Sequence, residues 1–461
     1  MIVQEGSLMM ERYQGQKVQW TVGFTTGGKE GQKVQPGGEG CILAVELGEV
    51  EKLTAEQVRV AAAKAAKTLR DLGAAAVVLD AAAVVEALGP QGAAAIAQGV
   101  ELALYRTESW KDTENTDPVF YLDAPAECED ALKEADALTR AICLARDLVN
   151  CPANKLTPSD MAARMVKEAQ ALGIETEVLD EDQARALGMD AFLTVGSSAN
   201  HPARLIVLRY KGGKEGDAPI ALVGKGVTCD TGGYCLKPAS SMKGIKGDMA
   251  GAAAVCGALL ALAANHVKVN ATVVIPSVEN RIAPDSYIPG DVISSMSGKT
   301  IEIGNTDAEG RLILADAVTY AIQKEHAAKV VDIATLTGAV VSMFGFTTAG
   351  FLCNDEDFCA AFQVAYDRSG EQYWRLPAFP EYRKMIESPI ADVSNVSSDG
   401  CGTITAGLFI GSFVEERPWI HLDIAGTAWV DSPRRDYQTV GATGAGVTTL
   451  YELCKHYAVE D

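Results

Sequence analysis

The feature that most constrains the fold is a repeated alternation of β-branched, apolar runs with helical segments over the second two thirds of the chain. The apolar runs are residues 203–210, 220–223, 271–278, 330–336 and 419–424. Strands that alternate with helices favour a largely parallel sheet with helices on both faces. We therefore expect an α/β fold with a mostly parallel central sheet, flanked by helices, in the larger C-terminal part.

The first 125 residues indicate a smaller unit of the same class. Short apolar runs at residues 41–47 and 74–79 alternate with alanine-rich helical stretches at residues 55–72 and 84–104. A glycine-rich segment at residues 27–40 is predicted to be a loop or a hairpin tip. This part of the chain is therefore expected to be a small α/β domain.

A linker helix is predicted between the two units. Residues 123–149 have helical periodicity, and the stretch ends just before Pro152, where proline disfavours a further turn. With 461 residues and 48% hydrophobic composition, the chain is long enough for more than one buried core. The predicted organisation is an N-terminal α/β domain at residues 1–125, a linker helix at 126–152 and the larger domain at 153–461.

The composition argues against several classes of protein. The formal net charge of −21 opposes contact with a phosphate backbone, so no nucleic-acid partner is expected. Eleven cysteines without CxxC spacing indicate neither a disulfide framework nor a zinc ribbon, and they fit a reducing cytoplasm. No basic, then apolar segment opens the chain, and the longest apolar stretch, residues 252–264, is shorter than the ~20 residues of a membrane span. Neither secretion nor membrane insertion is expected.

Residues 305–312, with the sequence NTDAEGRL, carry the strongest chemical signal. They crowd Asp307, Glu309 and Arg311 into five positions directly before an apolar helix at residues 311–323. The two carboxylates repel each other in such a turn, and one guanidinium neutralises only one of them. The cluster therefore predicts a bound cation. The positive end of the helix dipole also favours the ionised form of both carboxylates.

Further charged residues lie upstream of this octet. A glycine-rich loop after the run at 220–223 carries Lys225, Asp230 and Lys237, and Asp248 is predicted as the N-cap or first-turn residue of the next helix. Sites in open α/β sheets form beyond the carboxyl ends of strands. Because Asp307 also follows a short apolar run, at residues 300–303, both groups are expected to meet on one rim of the sheet.

The charge balance of these residues predicts two divalent cations. Asp230, Asp248, Asp307 and Glu309 contribute four negative charges, which two such cations would cancel. Carboxylate ligands without histidine suit Mn²⁺ and Mg²⁺, although Zn²⁺ accepts oxygen ligands and binds more tightly. Burial and neighbouring cations both favour a neutral lysine amine, so Lys225 is a candidate ligand as well.

The segments that carry these residues closely resemble the active-site motifs of the leucyl (cytosol) aminopeptidase family. The octet matches the family signature residue for residue, and the order and spacing of all seven charged residues agree. Similarity continues at residues 145–154, 289–292, 297–300, 334–338, 421–426 and 441–444, so it covers roughly the last two thirds of the chain. The departures are Cys229 for phenylalanine, Thr231 for serine and Ile245 for methionine, which concern substrate preference more than chemistry.

The resemblance implies a role for each charged residue. Asp230 and Glu309 would bridge two metals, Lys225 and Asp248 would complete one metal site, and Asp307 would complete the more exchangeable one. The resemblance also implies that Lys237 stabilises the developing oxyanion and that Arg311 holds a bicarbonate acting as general base. The substrate would be lined by Thr335, Thr337, Gly338 and Ile245.

The resemblance implies a reaction and an assembly too. A hydroxide shared by the two metals would attack the first peptide bond of a peptide with a free N-terminus, releasing Leu-like residues preferentially. Residues 153–461 would be the catalytic domain of a cytoplasmic homo-hexamer. A narrow dipeptidase, for example toward Cys-Gly, and a non-catalytic scaffold of the same fold are the alternatives. Native metal, physiological substrate and the purpose of the N-terminal domain are not specified by the sequence.

Other catalytic patterns find little support. The glycines at 224 and 226 do not form a GxxxxGK[ST] phosphate loop, and no HExxH, GxSxG or Cys-His motif occurs. Cys229 and Cys235 flank Asp230, so a redox-sensitive thiol is one interpretation and a pair of small buried side chains is the simpler one. His421 and Trp419 lie on a predicted core strand and are expected to be packing residues.

Overall fold

A computed structural model of the chain describes residues 10–37, 40–111, 117–397 and 399–458. The described residues form two compact units. The first contains the residues up to 143 together with 431–440, and the second contains 144–430 and the residues from 441 onward. The architecture is mixed α/β in both, as predicted.

The first unit is a six-stranded sheet with helices. Its strands are β1 (Glu11–Arg12), β2 (Trp20–Thr25), β3 (Gly31–Pro36), β4 (Cys41–Glu46), β5 (Ala76–Asp80) and β6 (Val119–Asp123), in the order β1-β6-β5-β2-β4-β3. Its helices are α1 (Ala55–Asp71), α2 (Ala82–Leu88), α3 (Pro90–Ala103) and the first part of α4 (Glu129–Asn150). All strand pairs are parallel except β3 with β4. Helix α1 begins with a capping box, in which the side chains of Thr54 and Gln57 each accept from the other's backbone N–H.

One local prediction for this unit was wrong. Residues 31–36, expected within a glycine-rich loop, form the edge strand β3, which is mostly exposed and therefore lacks the apolar pattern of a buried strand. Residues 431–440, assigned from the sequence to the larger domain, group with the first unit by their contacts. They do so through Tyr437, whose hydroxyl lies 2.9 Å from Glu56 Oε1, and Gln438, whose carbonyl accepts from Lys67 at 2.9 Å.

The second unit contains the larger sheet. Its strands are β7 (Glu175–Leu179), β8 (Arg204–Lys211), β9 (Ile220–Gly224), β10 (Gly226–Asp230), β11 (Asn270–Asn280), β12 (Val292–Ser294), β13 (Thr300–Glu302), β14 (Lys329–Ala334), β15 (Thr348–Cys353), β16 (Gln372–Arg375), β17 (Val393–Ser394), β18 (Trp419–Asp423), β19 (Trp429–Val430) and β20 (Gly441–Ala442). Nine of them form one sheet in the order β16-β15-β18-β14-β9-β11-β8-β7, with β10 paired to β11. The pairs that involve β9, β10 or β14 are parallel. All five apolar runs identified in the sequence lie in this sheet, so the prediction of a mostly parallel central sheet is confirmed.

Helices cover the sheet and close the core. They are α5 (Pro158–Ala171), α6 (Glu181–Ala186), α7 (Asp190–Gly196), α8 (Ala250–Ala264), α9 (Glu309–Gln323), α10 (Gly338–Phe344), α11 (Glu356–Ser369), α12 (Pro380–Lys384), α13 (Gly402–Gly411) and α14 (Val447–His456). Helices α8 and α9 are buried along almost their whole length, as the largely apolar sequence around each helix predicts. The helical segment Ala239–Ala264 is long and apolar enough to cross a membrane by length and composition alone, but 83% of its most apolar window is buried inside the protein, as in a core helix.

Candidate active site

The first group of charged residues lies where β9 leads into β10. Lys225 separates the two strands, and Asp230 is the last residue of β10, opposite Asn280 at the end of β11. A side chain at Gly224 would meet the carbonyl oxygen of Gly251 at 2.6 Å, so only glycine allows the start of α8 to pack this closely. The close packing brings Lys225 to the beginning of α8.

Asp248 does not cap α8, contrary to the prediction. A 3-10 helix, Ala239–Gly247, occupies the preceding residues, Asp248 follows it, and Met249 is the N-cap of α8. The side chain of Asp248 turns to the site instead. Its Oδ1 accepts hydrogen bonds from Lys225 Nζ at 2.7 Å and from Thr335 Oγ1 at 2.8 Å.

The octet at residues 305–312 reaches the site from a different sheet than expected. Strand β13, which precedes it, belongs to a three-stranded sheet with β12 and β17. The expectation that both groups follow strands of one sheet was therefore wrong, because β13 is too short to reveal its partners in the sequence. Glu309 is the first residue of α9, where the positive end of the helix dipole favours its negative charge.

The carboxylates and lysines nevertheless converge. One carboxylate oxygen from each of Asp230, Asp307 and Glu309 lies within 4.8 Å of the others. Lys225 Nζ lies 2.9 Å from Glu309 Oε1 in addition to its contact with Asp248. Lys237 Nζ lies 2.6 Å from Asp230 Oδ2 and also contacts Asp307 Oδ1.

Burial and mutual repulsion shift the pKa values of the acids. Burial, with repulsion from Glu309, raises the pKa of Asp230 to about 6 and that of Asp248 well above its usual range; Asp307 shifts in the same direction. The pKa of Glu309 is lowered despite its burial, because Lys225 and Lys237 stabilise its charge. The site therefore holds more negative charge than its surroundings readily accommodate.

The same carboxylates act on the two lysines. Burial lowers the pKa of Lys225, but Asp248, Glu309 and Asp230 outweigh it and the net pKa is raised. The pKa of Lys237 is likewise raised, because attraction to Asp230 and Glu309 exceeds the effect of burial. Burial by itself favours the neutral amine of Lys225, as expected from the sequence, but the carboxylate neighbours favour the ammonium form and their effect is larger.

Arg311 is fully within the protein, with 7% of its surface exposed. Its Nη1 donates a hydrogen bond to the carbonyl oxygen of Asn395 at 2.7 Å. Its Nε is buried and has no hydrogen-bond partner among the described residues. Burial lowers the pKa of Arg311 to about 10, so the guanidinium still carries its charge at neutral pH.

The expected substrate-lining residues differ in position. Thr335 touches the charged cluster, since its carbonyl oxygen accepts from Lys225 Nζ at 3.0 Å. The hydroxyl of Thr337 instead donates to Asp423 Oδ2 at 2.6 Å, and Thr337 caps α10, whose first residue is Gly338. Ile245 is half-buried in the 3-10 helix before Asp248.

Three buried residues around the site escaped the sequence analysis. Asn280 donates to Asp230 Oδ1 at 2.8 Å. Asn395 bonds to the backbone of Asn305 in the octet. Asp423 accepts from the backbone of Leu336 and the hydroxyl of Thr337. Asp423 and Asn280 lie at strand ends, which is the signal that could have identified them. Asn395 follows a two-residue strand and leaves no comparable signal.

The donor set fits divalent metal ions. Four carboxylates face two lysines, and Asp248 Oδ2 is buried without a hydrogen-bond partner among the described residues. A buried carboxylate oxygen without a partner is costly unless a cation or a donor satisfies it. Oxygen ligands of this kind suit Mn²⁺, Mg²⁺ and Zn²⁺.

The two cysteines near the site have different surroundings. Cys229 is buried, and burial raises the pKa of its thiol, so the reactive thiolate is disfavoured. Cys235 is half-buried, and its backbone N–H donates to Thr306 Oγ1 at 2.8 Å. All eleven cysteines, each within the described ranges, are free thiols.

Comparison with known proteins identifies the family. The sequence models of the cytosol aminopeptidase family match residues 143–451 as its catalytic domain and residues 28–114 as its N-terminal domain. The resemblance therefore extends into the first third of the chain, where the motifs alone showed little. The probable cytosol aminopeptidase of Clostridium perfringens is 43% identical over 423 residues, covering 89% of this chain and 85% of that protein. That of Alkaliphilus oremlandii is 40% identical, covering 96% and 89%.

Solved structures agree with the sequence comparison. The bottromycin maturation enzyme BotP is 33% identical and superposes with a TM-score of 0.88, covering 95% of this chain and 99% of that one. Its complex with Mn superposes with a TM-score of 0.89 over the same shares. The chain therefore belongs to the cytosol aminopeptidase family, a family of metal-dependent exopeptidases.

Proposed function

We propose that this protein releases N-terminal amino acids, with Leu-like residues preferred, from peptides, and that it uses two divalent cations to do so. The observation that carries the proposal is the convergence of Asp230, Asp248, Asp307 and Glu309 on Lys225 and Lys237 in a buried position. An excess of buried carboxylates over lysines is the arrangement that two divalent cations neutralise.

We assign the ligands as follows. Lys225, Asp230, Asp248 and Glu309 would hold one cation, and Asp230, Asp307 and Glu309 would hold the second, more exchangeable one. The close approach of the carboxylate oxygens of Asp230, Asp307 and Glu309 supports the shared roles. The similarity to a structure containing Mn supports Mn²⁺, with Zn²⁺ and Mg²⁺ as further candidates.

Two basic side chains complete the chemistry. When bound, the cations would activate a water and polarise the scissile carbonyl. Lys237, kept protonated by Asp230, donates to the carbonyl oxygen as negative charge develops on it. Arg311 has a buried Nε without a partner among the described residues, which suits an anion such as bicarbonate acting as general base.

Substrate recognition is assigned to the residues beside this cluster. Thr335, Thr337, Gly338 and Ile245 line the path of the N-terminal residue, and only an unblocked N-terminal amine can enter the site. The contacts of Thr335 with Lys225 and Asp248 support its placement next to the reacting peptide bond.

The decisive experiment compares two substrates at defined metal content. The protein is stripped of metal, reloaded separately with Zn²⁺, Mn²⁺ and Mg²⁺, and assayed with a leucine anilide and its N-acetylated form. We expect metal-restored cleavage of the free-amine compound alone. Equal cleavage of both would refute recognition of the free amine, and no cleavage with any metal would refute the proposed activity on this substrate class.

We also propose a homo-hexamer located in the cytoplasm, with no nucleic-acid partner. Trp374, Phe379 and Ile390 of the second unit are each at least 60% exposed, which suits an interface between copies of the chain. Eleven free cysteines suit a reducing compartment. Light scattering after size exclusion measures the assembly, and a monomeric mass would contradict the hexamer.

A further inference from the structure

The loop that carries Asp307 is held between the two sheets of the second unit by a pair of buried asparagines. Asn280 ends β11 in the nine-stranded sheet, and Asn395 follows β17 in the three-stranded sheet. Both side chains are completely shielded from solvent. The loop, residues 304–308, connects β13 to α9, so its conformation fixes where Asp307 lies relative to Glu309.

Asn395 binds the backbone of the loop on one side. Its Oδ1 accepts from the N–H groups of Gly304 at 2.7 Å and Asn305 at 3.3 Å. Its Nδ2 donates to the carbonyl oxygens of Asn305 at 2.8 Å and Ala308 at 3.4 Å. The amide of one side chain thus forms hydrogen bonds with four backbone groups of the loop. Buried backbone groups require such partners.

Asn280 binds the loop on the other side. Its Nδ2 donates to the carbonyl oxygen of Thr306 at 3.0 Å and to Asp230 Oδ1 at 2.8 Å. The hydroxyl of Tyr287 donates to the same Thr306 oxygen at 3.0 Å. The peptide before Asp307 and the carboxylate of Asp230 are therefore tied to one side chain.

We propose that Asn280 and Asn395 are positioning residues that hold Asp307 and Asp230 at the spacing required for the second, more exchangeable cation. The inference rests on the ligand assignment given under the proposed function. Outer-shell partners of this kind typically change metal affinity by about 10–100-fold. Asn395 reaches the catalytic group as well, because its carbonyl oxygen accepts from Arg311 Nη1.

The loop packs closely against the segment that carries Asn395. A Cβ atom at Gly304 would lie 2.4 Å from Val396 Cγ2, so a larger residue at this position would require a shift of the loop or of Val396. Removal of the Asn395 amide takes a partner from the N–H groups of Gly304 and Asn305 and from the carbonyl oxygens of Asn305 and Ala308. Loss of these bonds favours movement of the loop and, with it, of Asp307.

The test measures cation binding by the folded protein, independently of turnover. Mn²⁺ is titrated into metal-free wild type, Asn395→Ala and Asn280→Ala, with calorimetry for the affinities and electron paramagnetic resonance for coupling between the two ions. We expect the second Mn²⁺ to bind about 10–100-fold more weakly in each variant. For Asn395→Ala we expect an unchanged first site and recovery of kcat at high Mn²⁺ concentration.

Asn270 provides the matched control. It lies at the opposite end of β11, roughly 33 Å from Asn280 along an 11-residue strand. Its side chain also bonds three backbone groups of a loop, those of Gly213, Lys214 and Asp217. We expect Asn270→Ala to bind both Mn²⁺ ions with wild-type affinity.

Three outcomes are distinguishable. Wild-type affinity at both sites in folded Asn395→Ala and Asn280→Ala, or equal weakening in Asn270→Ala, would overturn the positioning role. If Asn395→Ala does not fold, Asn395→Ser is titrated in its place; we expect a smaller loss at the second site, and no loss would overturn the role. A wild-type protein that binds no divalent cation would overturn the proposed function itself, and with it the basis of this inference.

Discussion

Lys225 and Asp248 form an ion pair with 2.7 Å between Nζ and Oδ1, and their side chains are only 4% and 14% exposed. Attraction to Asp248, Glu309 and Asp230 outweighs burial and raises the pKa of Lys225. A lysine ligand must be neutral, so a cation that uses Lys225 must displace a proton. We expect cation affinity to increase with pH by about tenfold per unit for each proton released.

Proton release can be assigned to Lys225 by substitution. Calorimetric titration with Mn²⁺ in buffers of different ionisation enthalpy counts the protons released, and Lys225→Met is expected to release one fewer than wild type. Lys211→Met is the control, because Lys211 also pairs with a carboxylate, that of Glu175 at 2.6 Å, but is exposed. Equal proton release by wild type and Lys225→Met would exclude Lys225 as a ligand that loses a proton.

Gly310 gives a second prediction, since it lies in α9 directly beneath the Lys225 side chain. A Cβ atom at this position would lie 2.5 Å from Lys225 Cε and 2.7 Å from Nζ. Gly310→Ala should gain up to about 1 kcal/mol of helix propensity, yet displace the ammonium from Asp248 and Glu309. We expect kcat and Mn²⁺ affinity to fall at least about tenfold without loss of secondary structure. Wild-type Mn²⁺ affinity in Gly310→Ala would show that the Lys225 side chain accommodates the added methyl group without weakening the metal site.

The sequence predicts the central sheet because long strands carry their own signal. Strands β8, β9, β11, β14 and β18 contain buried apolar residues, many of them β-branched. Such residues favour a strand conformation, and their burial also stabilises the packing of the sheet. The edge strand β3 lacks that signal, because its side chains are mostly exposed and little apolar surface is needed. Short strands such as β13 and β17 carry too few residues to specify their partners.

The charged residues of the site could be predicted from their spacing, whereas the groups that hold them could not. Carboxylates crowded into a turn before an apolar helix are physically anomalous without a cation, so Asp307 and Glu309 are conspicuous in the sequence. A buried asparagine is conspicuous only when its partners are known. Asn395 and Asp307 are brought together by the pairing of β13 with β17, which the sequence does not reveal.

Glu309 and Ile245 provide a contrast between chemistry and specificity. Glu309 is 1% exposed and contacts Lys225, so Glu309→Ala should remove a shared ligand and lower kcat by more than about 100-fold. Ile245→Met changes only the shape of an apolar side chain and should alter the preference among N-terminal residues on the order of tenfold. Both variants are assayed with leucine, methionine and alanine anilides, and comparable losses in the two would contradict this placement of the site.

His421 and Asp332 give a prediction about stability and pH. They face each other on β18 and β14 with 2.6 Å between Nδ1 and Oδ1, and Asp332 Oδ2 also accepts from Trp419 Nε1 at 2.6 Å. All three side chains are buried, so the strand expected to supply packing residues also carries a hydrogen-bonded His–Asp pair. Burial lowers the pKa of His421, but attraction to Asp332 outweighs it and the net pKa is raised.

A histidine whose pKa is higher in the folded state contributes stability that is complete below its unfolded pKa of about 6.5 and is lost as pH rises through the folded pKa. We therefore expect this contribution to the free energy of unfolding to fall above pH 6.5. His421→Gln keeps a hydrogen-bond donor but does not titrate, so it should be about 1–3 kcal/mol less stable than wild type at pH 6 and closer to it at pH 9. Urea unfolding at both pH values measures the difference, with exposed His456→Gln as the control. If His421→Gln and wild type differ in free energy of unfolding by the same amount at both pH values, protonation of His421 does not stabilise the fold.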